Sequence, residues 1–411
     1  MAIIKPFKAL RPQPQLAKQV ASRPYDVLNT QEAKRETEGN PISFLHITKS
    51  EIDLPENTDT HSQEVYDKAK QTLNAFIKRD VLFHENKECF YIYRLIMNGR
   101  SQAGIVCVSS VDDYENDIIK KHEFTRPEKE HDRINHIKTT GAQTGNVFLA
   151  YRNVKSLDEL INNWITARHP VYDFTSDDNI QHTIWIVNDD KCCTQISSIF
   201  NDEVPCTYIA DGHHRAASAA KVRKELGDKA TEASNYFLTT LFPASQLQIM
   251  DYNRVVKDLN GFSAKDFLQQ LEKDFIVENN GEEAYEPKAL HEFGMYLENT
   301  WYKLTSKEDT YTNDPIGVLD VTILQNNVLD KLLDIKDQRT DKRIDFVGGI
   351  RGLNELKKRV DSGEMTVAFS LYPVSIEQLF DIADSGNVMP PKSTWFEPKL
   401  RDGLLTHLIY E

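Results

Sequence analysis

Apolar positions recur at two different periods along this chain. From Ser62 to Arg79 they fall at Val65, Ala69, Leu73 and Phe76, a helical spacing that predicts an amphipathic helix. Strand-like runs follow: Cys89 to Met97, a turn at Asn98-Gly99, then Ala103 to Ser110. Two β-rich runs across an Asn-Gly turn predict a hairpin. Asn146–Arg152, His182–Asp189 and the run after Tyr236 (Phe237 to Phe242) read as further strands. Residues 112–140 are highly charged and read as helix, broken near Pro127. Residues 1–60 are rich in Pro, Asn and Thr and read as extended segments and loops, with Phe44–Ile47 as a short strand. Pro205 to Ala210, then Asp211-Gly212-His213-His214-Arg215, then an Ala-rich run to Gly227, predicts a strand, a tight turn and a close-packing helix stopped by glycine. Past residue 255 helices and strands alternate, as in a second α+β region. The proline-rich stretch from Met389 to Leu405 is expected to wrap an existing body. No internal repeat or low-complexity tract interrupts this pattern.

Composition narrows the class. The chain has 411 residues, 40% hydrophobic and 27% charged, which is globular usage and room for two to three domains of about 150 residues each. Asp plus Glu number 63 against 49 Lys plus Arg, a net charge of −14. That balance argues against a nucleic-acid binder, which needs a basic surface, yet leaves room for a small basic pocket. Five cysteines with no C-x-x-C pair argue against a disulfide scaffold or structural zinc and fit a reducing compartment. Pro6, Pro12 and Pro14 interrupt any signal-peptide core, and no run of about 18 apolar residues would span a bilayer. The expectation is a cytoplasmic protein.

Three clusters carry candidate chemistry. Asp211-Gly212-His213-His214-Arg215 sits where a strand gives way to a helix, and a helix N-terminus favours anions. Gly212 would let the backbone approach a phosphate, and Arg215 has the fork to grip one. Asp211 has two available jobs, an N-cap or a Mg²⁺ ligand. The plainer alternative is a capped helix with surface histidines. In the second cluster His122-Glu123 is not a zincin motif, since position 126 is Arg126 rather than His. Glu123 has the chemistry of a general base and Arg133 that of a carboxylate or phosphate partner, against the alternative of a solvated, charge-laced helix. The third, Lys392-Ser393-Thr394 with Lys399, lacks the glycine frame of a P-loop. Gly348-Gly349-Ile350-Arg351-Gly352 lacks the G-x-G spacing of a dinucleotide turn. There is no G-x-S-x-G, so an α/β-hydrolase is not expected.

Taken in order, Arg23-Pro24-Tyr25-Asp26-Val27, Asn40-Pro41, His122-Glu123 with Thr125, Ala210 to Arg215, Asp251 to Val256, and Met389 to Thr394 with Gly403-Leu404 form a set. That set resembles the domain-of-unknown-function family 1015, which is similar to SerK-type free serine kinases of the ParB/sulfiredoxin superfamily. The resemblance implies an α/β (α+β) fold. Residues 85–250 would be a ParB/sulfiredoxin-like core, 1–84 an N-terminal segment packed on it, and 251–411 a C-terminal α+β region. It implies a phosphotransferase that makes O-phospho-L-serine from free L-serine, with pyrophosphate, ADP or ATP as donor and Mg²⁺ as cofactor. Glu123, Asp211 and His213 would be catalytic, and Gly212, His214 and Arg215 would hold the donor. Arg133, Tyr25, Asp26, Lys392 and Lys399 would bind substrate, and Asp211 would take the metal. A phosphoserine phosphatase and a ParB-like nucleotide-binding regulator are the alternatives. The expected partners are small molecules rather than nucleic acid or membrane, and a homodimer stays open. Asn253 departs from the family, which usually has His there, and the span from Glu123 to Asp211 is longer than in the minimal kinase.

Overall fold

The structure, a computed structural model, describes residues 1–410. It divides into two compact units. The first takes residues 1–121, 125–247 and 398–410, and the second takes 122–124 and 248–397. This grouping differs from a division at residues 84 and 250, because both ends of the chain join the first unit's sheets.

In the first unit a nine-stranded sheet is built from β1 (Ile4–Lys5), β2 (Phe90–Met97), β3 (Arg100–Ser110), β4 (Ile119–Lys120), β5 (Val147–Tyr151), β6 (Tyr172–Thr175), β7 (Gln181–Val187), β8 (Thr207–Asp211) and β9 (Tyr236–Pro243). The order is β4-β8-β5-β9-β3-β2-β7-β6, with β1 added along β3. The expected hairpin is β2–β3, and Asn98 and Gly99 both take positive φ (+51° and +78°), as a two-residue turn matched to strand twist requires. At the other side β9 runs parallel to β5, and β5 antiparallel to β8. Helices α1 (Gln63–Lys78), α2 (Pro127–Thr140), α3 (Lys155–Ala167), α4 (Asp190–Glu203) and α5 (His213–Leu226) accompany the sheet. Ile92, Ile105, Leu149 and Trp185 of the strands share one core with Leu157, Ile161, Ile196 and Phe200 of α3 and α4.

Two local expectations fail for identifiable reasons. Phe44–Ile47 is not a strand: Leu45–Thr48 is one helical turn with Leu45 and Ile47 buried, and so short an apolar run does not distinguish the two periods. Residues 1–60 also hold a true helix at Thr30–Thr37, begun by a capping box between Asn29 and Glu32. The helical reading of 112–140 is indeed interrupted near Pro127, but just before it: Val111–Glu115 is a short helix, Ile119–Lys120 a strand, and residues 121–126 are not helical. Pro127 itself is the first residue of α2, where its missing N–H has no helical partner to lose.

The second unit is a six-stranded antiparallel sheet with flanking helices. Its core gathers Val255, Tyr296, Trp301, Val347, Leu356 and Ala368. Asn253 is fully buried in the Tyr252–Val256 strand and accepts from the Leu371 N–H at 3.0 Å, a structural use of the position. The residues at the unit's two ends pair with each other, Ile249 with Phe396 and Met250 with Trp395, antiparallel. The mixed helices and sheets make this an α+β protein. Among the described residues no helix is long and apolar enough to cross a membrane.

Candidate functional site

The helix α5 begins on Gly212, whose φ of +102° is strained for any residue with a Cβ. A Cβ there would lie 3.1 Å from Arg215 Cζ, 3.2 Å from Arg215 Nε and 3.4 Å from Val147 Cα. The glycine is therefore needed twice, once for the backbone and once for the guanidinium folded over it. Small residues continue into the helix: Ala216, Ala217, Ser218, Ala219 and Ala220 are buried. They let α5 approach α2 closely enough for the Ser218 hydroxyl to donate to the Glu130 carbonyl at 3.2 Å.

Arg215 is itself only 8% exposed. Its Nη1 donates to the Asn146 carbonyl, and its Nη2 faces Asp211 Oδ1 at 3.3 Å and Asp26 Oδ2 at 3.4 Å. A tight charge-assisted bond would be about 2.7–2.9 Å, so both carboxylates hold the guanidinium loosely. Its Nε is buried with no partner, as is Asn146 Oδ1 beside it. On the far side of Asp211, Lys399 Nζ donates to Oδ2 at 2.9 Å. Burial opposes ionisation of Asp211, but Lys399 and Arg215 hold its carboxyl well below the usual carboxylate range.

A second ion pair flanks the first. Arg133 of α2 donates from both Nε (3.0 Å) and Nη2 (2.7 Å) to Asp132 Oδ2, and stacks over the Tyr25 ring at 4.0 Å. Asp132 also accepts from Tyr66 at 2.9 Å and lies 3.0 Å from His61 Nδ1. Burial again opposes ionisation, yet Arg133 and these donors lower Asp132 to about 2. Tyr25, Arg133, Gly145 and Arg215 together line a cavity of about 20 Å³, room for one water. His214 accepts from the Arg126 N–H through Nε2 at 3.0 Å, which fixes it as neutral with its proton on Nδ1. His213 is buried in the first turn of α5.

The segment 398–410 brings Lys399 to this place. It is tied down by backbone pairs between Ser22 and Asp402 and between Leu10 and Thr406, and by His407 against Gln143. Arg401 anchors it further: it donates to Asp178 and Ser176, and its Nε lies 3.3 Å from His182 Nε2, whose Nδ1 meets the Tyr93 hydroxyl at 2.7 Å. Next to it Asp402 is 3% exposed, with Oδ2 lacking any partner.

The first unit thus collects Tyr25, Asp26, Arg133, Asp211 to Arg215 and Lys399 from four separate stretches of chain. Glu123 and Lys392 group with the second unit. Lys392 stands in a loop at φ +59° with its ammonium 5.7 Å from the Tyr252 ring. The sequence reading placed Asp132 in the second cluster without a role, and missed Asn146, Arg401 and Asp402. Asp132 was visible as the neighbour of Arg133, but the other three carry no local signal.

These side chains alone do not make a Mg²⁺ cage; such an ion would be held by Asp211 together with the phosphate oxygens of a donor. Asp211 already faces a cation on each oxygen, and among the described residues no three His, Cys, Asp or Glu side chains gather as a metal site. The charge that a phosphate needs is present as Arg215, Lys399 and the N–H groups that open α5.

Among solved structures the chain is similar to a free serine kinase variant in complex with AMP (13% identity, 74% of this chain and 91% of that one, TM-score 0.38). It is also similar to a conserved hypothetical protein from Pyrococcus furiosus (15% identity, 74% and 95%, TM-score 0.36). A third is SbnI from Staphylococcus aureus with a C-terminal truncation (12% identity, 74% and 87%, TM-score 0.33). No curated protein matches the chain. Residues 4–322 match the family described as protein of unknown function (DUF1015), and the chain belongs to that family.

Proposed function

We propose that this protein is a phosphotransferase acting on the hydroxyl of free L-serine, built on a ParB/sulfiredoxin-like core, with pyrophosphate, ADP or ATP as donor. The observation that carries the reading is the cradle at the start of α5. A buried guanidinium with an unpartnered Nε, a lysine on the other side of Asp211, and a helix N-terminus converge at a glycine where a Cβ would press on the guanidinium. Phosphoryl transfer asks chiefly for positioning and charge neutralisation, and these groups supply both. A phosphate arriving here competes with Asp26 and Asp211 for Arg215, and the contacts of 3.4 and 3.3 Å are long enough to exchange at small cost.

In the reaction the serine Oγ forms a bond to the transferred phosphorus as the bond to the leaving phosphate oxygen breaks. The hydroxyl proton goes to a carboxylate base, and the ordered motifs assign that base to Glu123. His213 and Arg215 stabilise the charge on the transferred group, while Tyr25, Asp26, Arg133 and Lys392 are the substrate-binding candidates.

Incubating the purified protein with L-serine and each donor in turn tests the reading. Formation of O-phospho-L-serine, followed by ³¹P NMR, is the expected result. Release of phosphate from O-phospho-L-serine without any donor would make the protein a phosphatase. Binding of nucleotide with no turnover of either kind would leave a regulator and refute the proposal.

A further inference from the structure

Around Arg215 the charges nearly cancel. Asp132 is matched by Arg133, and Asp211 and Asp26 are set against Lys399 and Arg215. One carboxyl is left over, that of Asp402. Its neighbours are fixed from several elements: Arg215 of α5, Arg133 of α2, and Asp26 with the backbone N–H of Tyr25 from the N-terminal turn. Its Oδ1 lies 3.9 Å from the point where a Cβ on Gly145 would sit, and the same point is 3.0 Å from Arg215 Cδ. Both Asp402 and Arg215 therefore close on one glycine. The only arginine of its own segment nearby, Arg401, is committed to Asp178 and the Tyr93–His182 pair.

We infer that Asp402 is a positioning residue that holds a proton while the Arg215–Lys399 cradle holds an anion, so that anion binding at this site takes up a proton. The inference rests on the cradle described above as the phosphate site. With Asp402 neutral, the cradle has as many cations as carboxylates and accepts an anion. With Asp402 ionised, a buried negative charge faces the ligand across Arg215, where water screens little. An arriving anion raises the affinity of Asp402 for its proton, and by linkage the proton raises the affinity for the anion. Burial, opposed by Arg215 and reinforced by Asp26, already pushes this carboxyl up to about 8, so the change falls in an accessible range. His213, in the first turn of α5, also lies close enough to act on the charge of Asp211, and the substitution below isolates the contribution of Asp402.

Sulfate is the probe, because its charge is constant over the range studied. In calorimetric titrations of the full chain, sulfate affinity should stay level up to about pH 8 and then fall, approaching about tenfold per pH unit for a one-proton linkage. In Asp402→Asn, which is isosteric and cannot ionise, the fall above pH 8 should vanish. The parent protein's carboxyl carbon resonances, with Asp402 assigned, should show it titrating far above an ordinary carboxylate, and later still with sulfate present. An Asp402 that titrates near about 4, an Asp402→Asn variant with the parent's pH profile, or no sulfate binding at any pH would each overturn the inference. Loss of the serine reading leaves it standing: sulfate binding with this linkage but no phosphoserine formed would refute the proposed reaction alone.

Discussion

Replacing Gly212 with alanine separates the two reasons for a glycine at the mouth of α5. The first is conformational. Holding an L-residue at positive φ costs about 1–2 kcal/mol, and Gly39, at φ +74° with nothing within 4 Å of its Cβ direction, reports that cost alone. The second is steric. The new methyl would press on Arg215 at 3.1–3.2 Å while Val147 Cα stands 3.4 Å away behind it, so the guanidinium must give. Losing one hydrogen bond from a charged donor is worth about 1.5–3 kcal/mol, which is about 10- to 150-fold in affinity. Urea unfolding should therefore show both Gly39→Ala and Gly212→Ala destabilised by about 1–2 kcal/mol. Calorimetry with pyrophosphate should show weakened binding in Gly212→Ala and none of that loss in Gly39→Ala. A Gly212→Ala protein that binds pyrophosphate as the parent does would refute the placement of the anion beside Arg215.

Glu123→Gln keeps size but not proton acceptance, so serine turnover should fall by about 10²- to 10⁴-fold with pyrophosphate affinity unchanged; full activity would remove Glu123 from the chemistry. Asp132→Asn strands the buried Arg133, and urea unfolding should register a loss of about 3–5 kcal/mol. Burial holds His136, His182 and His407 at about 4, 3 and 4, below an unfolded value of about 6.5. The unfolded chain then binds these protons first, so stability should drop as pH falls from about 6.5 towards 4, by up to about 1.4 kcal/mol per pH unit for each histidine; a flat profile in denaturant titrations would contradict the burial of these rings. Arg401→Met should loosen the segment that carries Lys399, visible as faster hydrogen exchange at the Ser22 and Asp402 amides, and unchanged exchange there would deny it the anchoring role.

Much of the site was legible because its centre is local. Strand, turn and helix from Thr207 to Leu226 follow from apolar period, one glycine and a run of alanines within about 20 residues, and Arg215 came with them. What escaped was whatever depends on distant segments meeting. Arg401 owes its role to partners more than 200 residues away in sequence and Asp402 to residues of three other distant stretches, and nothing in the run Lys399-Leu400-Arg401-Asp402 distinguishes them from surface charge. The Asp132–Tyr66–His61 cluster likewise joins α2 to residues at the start of α1. Phe44–Ile47 failed in the opposite way: the local signal was four apolar residues, too few to carry a period, and burial by the surrounding segments decided the outcome.

The short antiparallel pair between residues 249–250 and 395–396 bears on how the first unit can be completed at all. Lys399 must find Asp211 after a detour through the whole second unit. Were that detour a floppy loop of about 150 residues, closing it would cost about 3 kcal/mol more than closing one of five, by the logarithmic dependence of closure entropy on length. Pairing its two ends shortens the effective loop to a few residues, and the second unit's own folding meets that cost. The last segment is then delivered to the first unit as though the chain had hardly left it. In topological terms the second unit is a cassette, and its interior can lengthen or diverge with little penalty to the cradle as long as those two short strands stay paired.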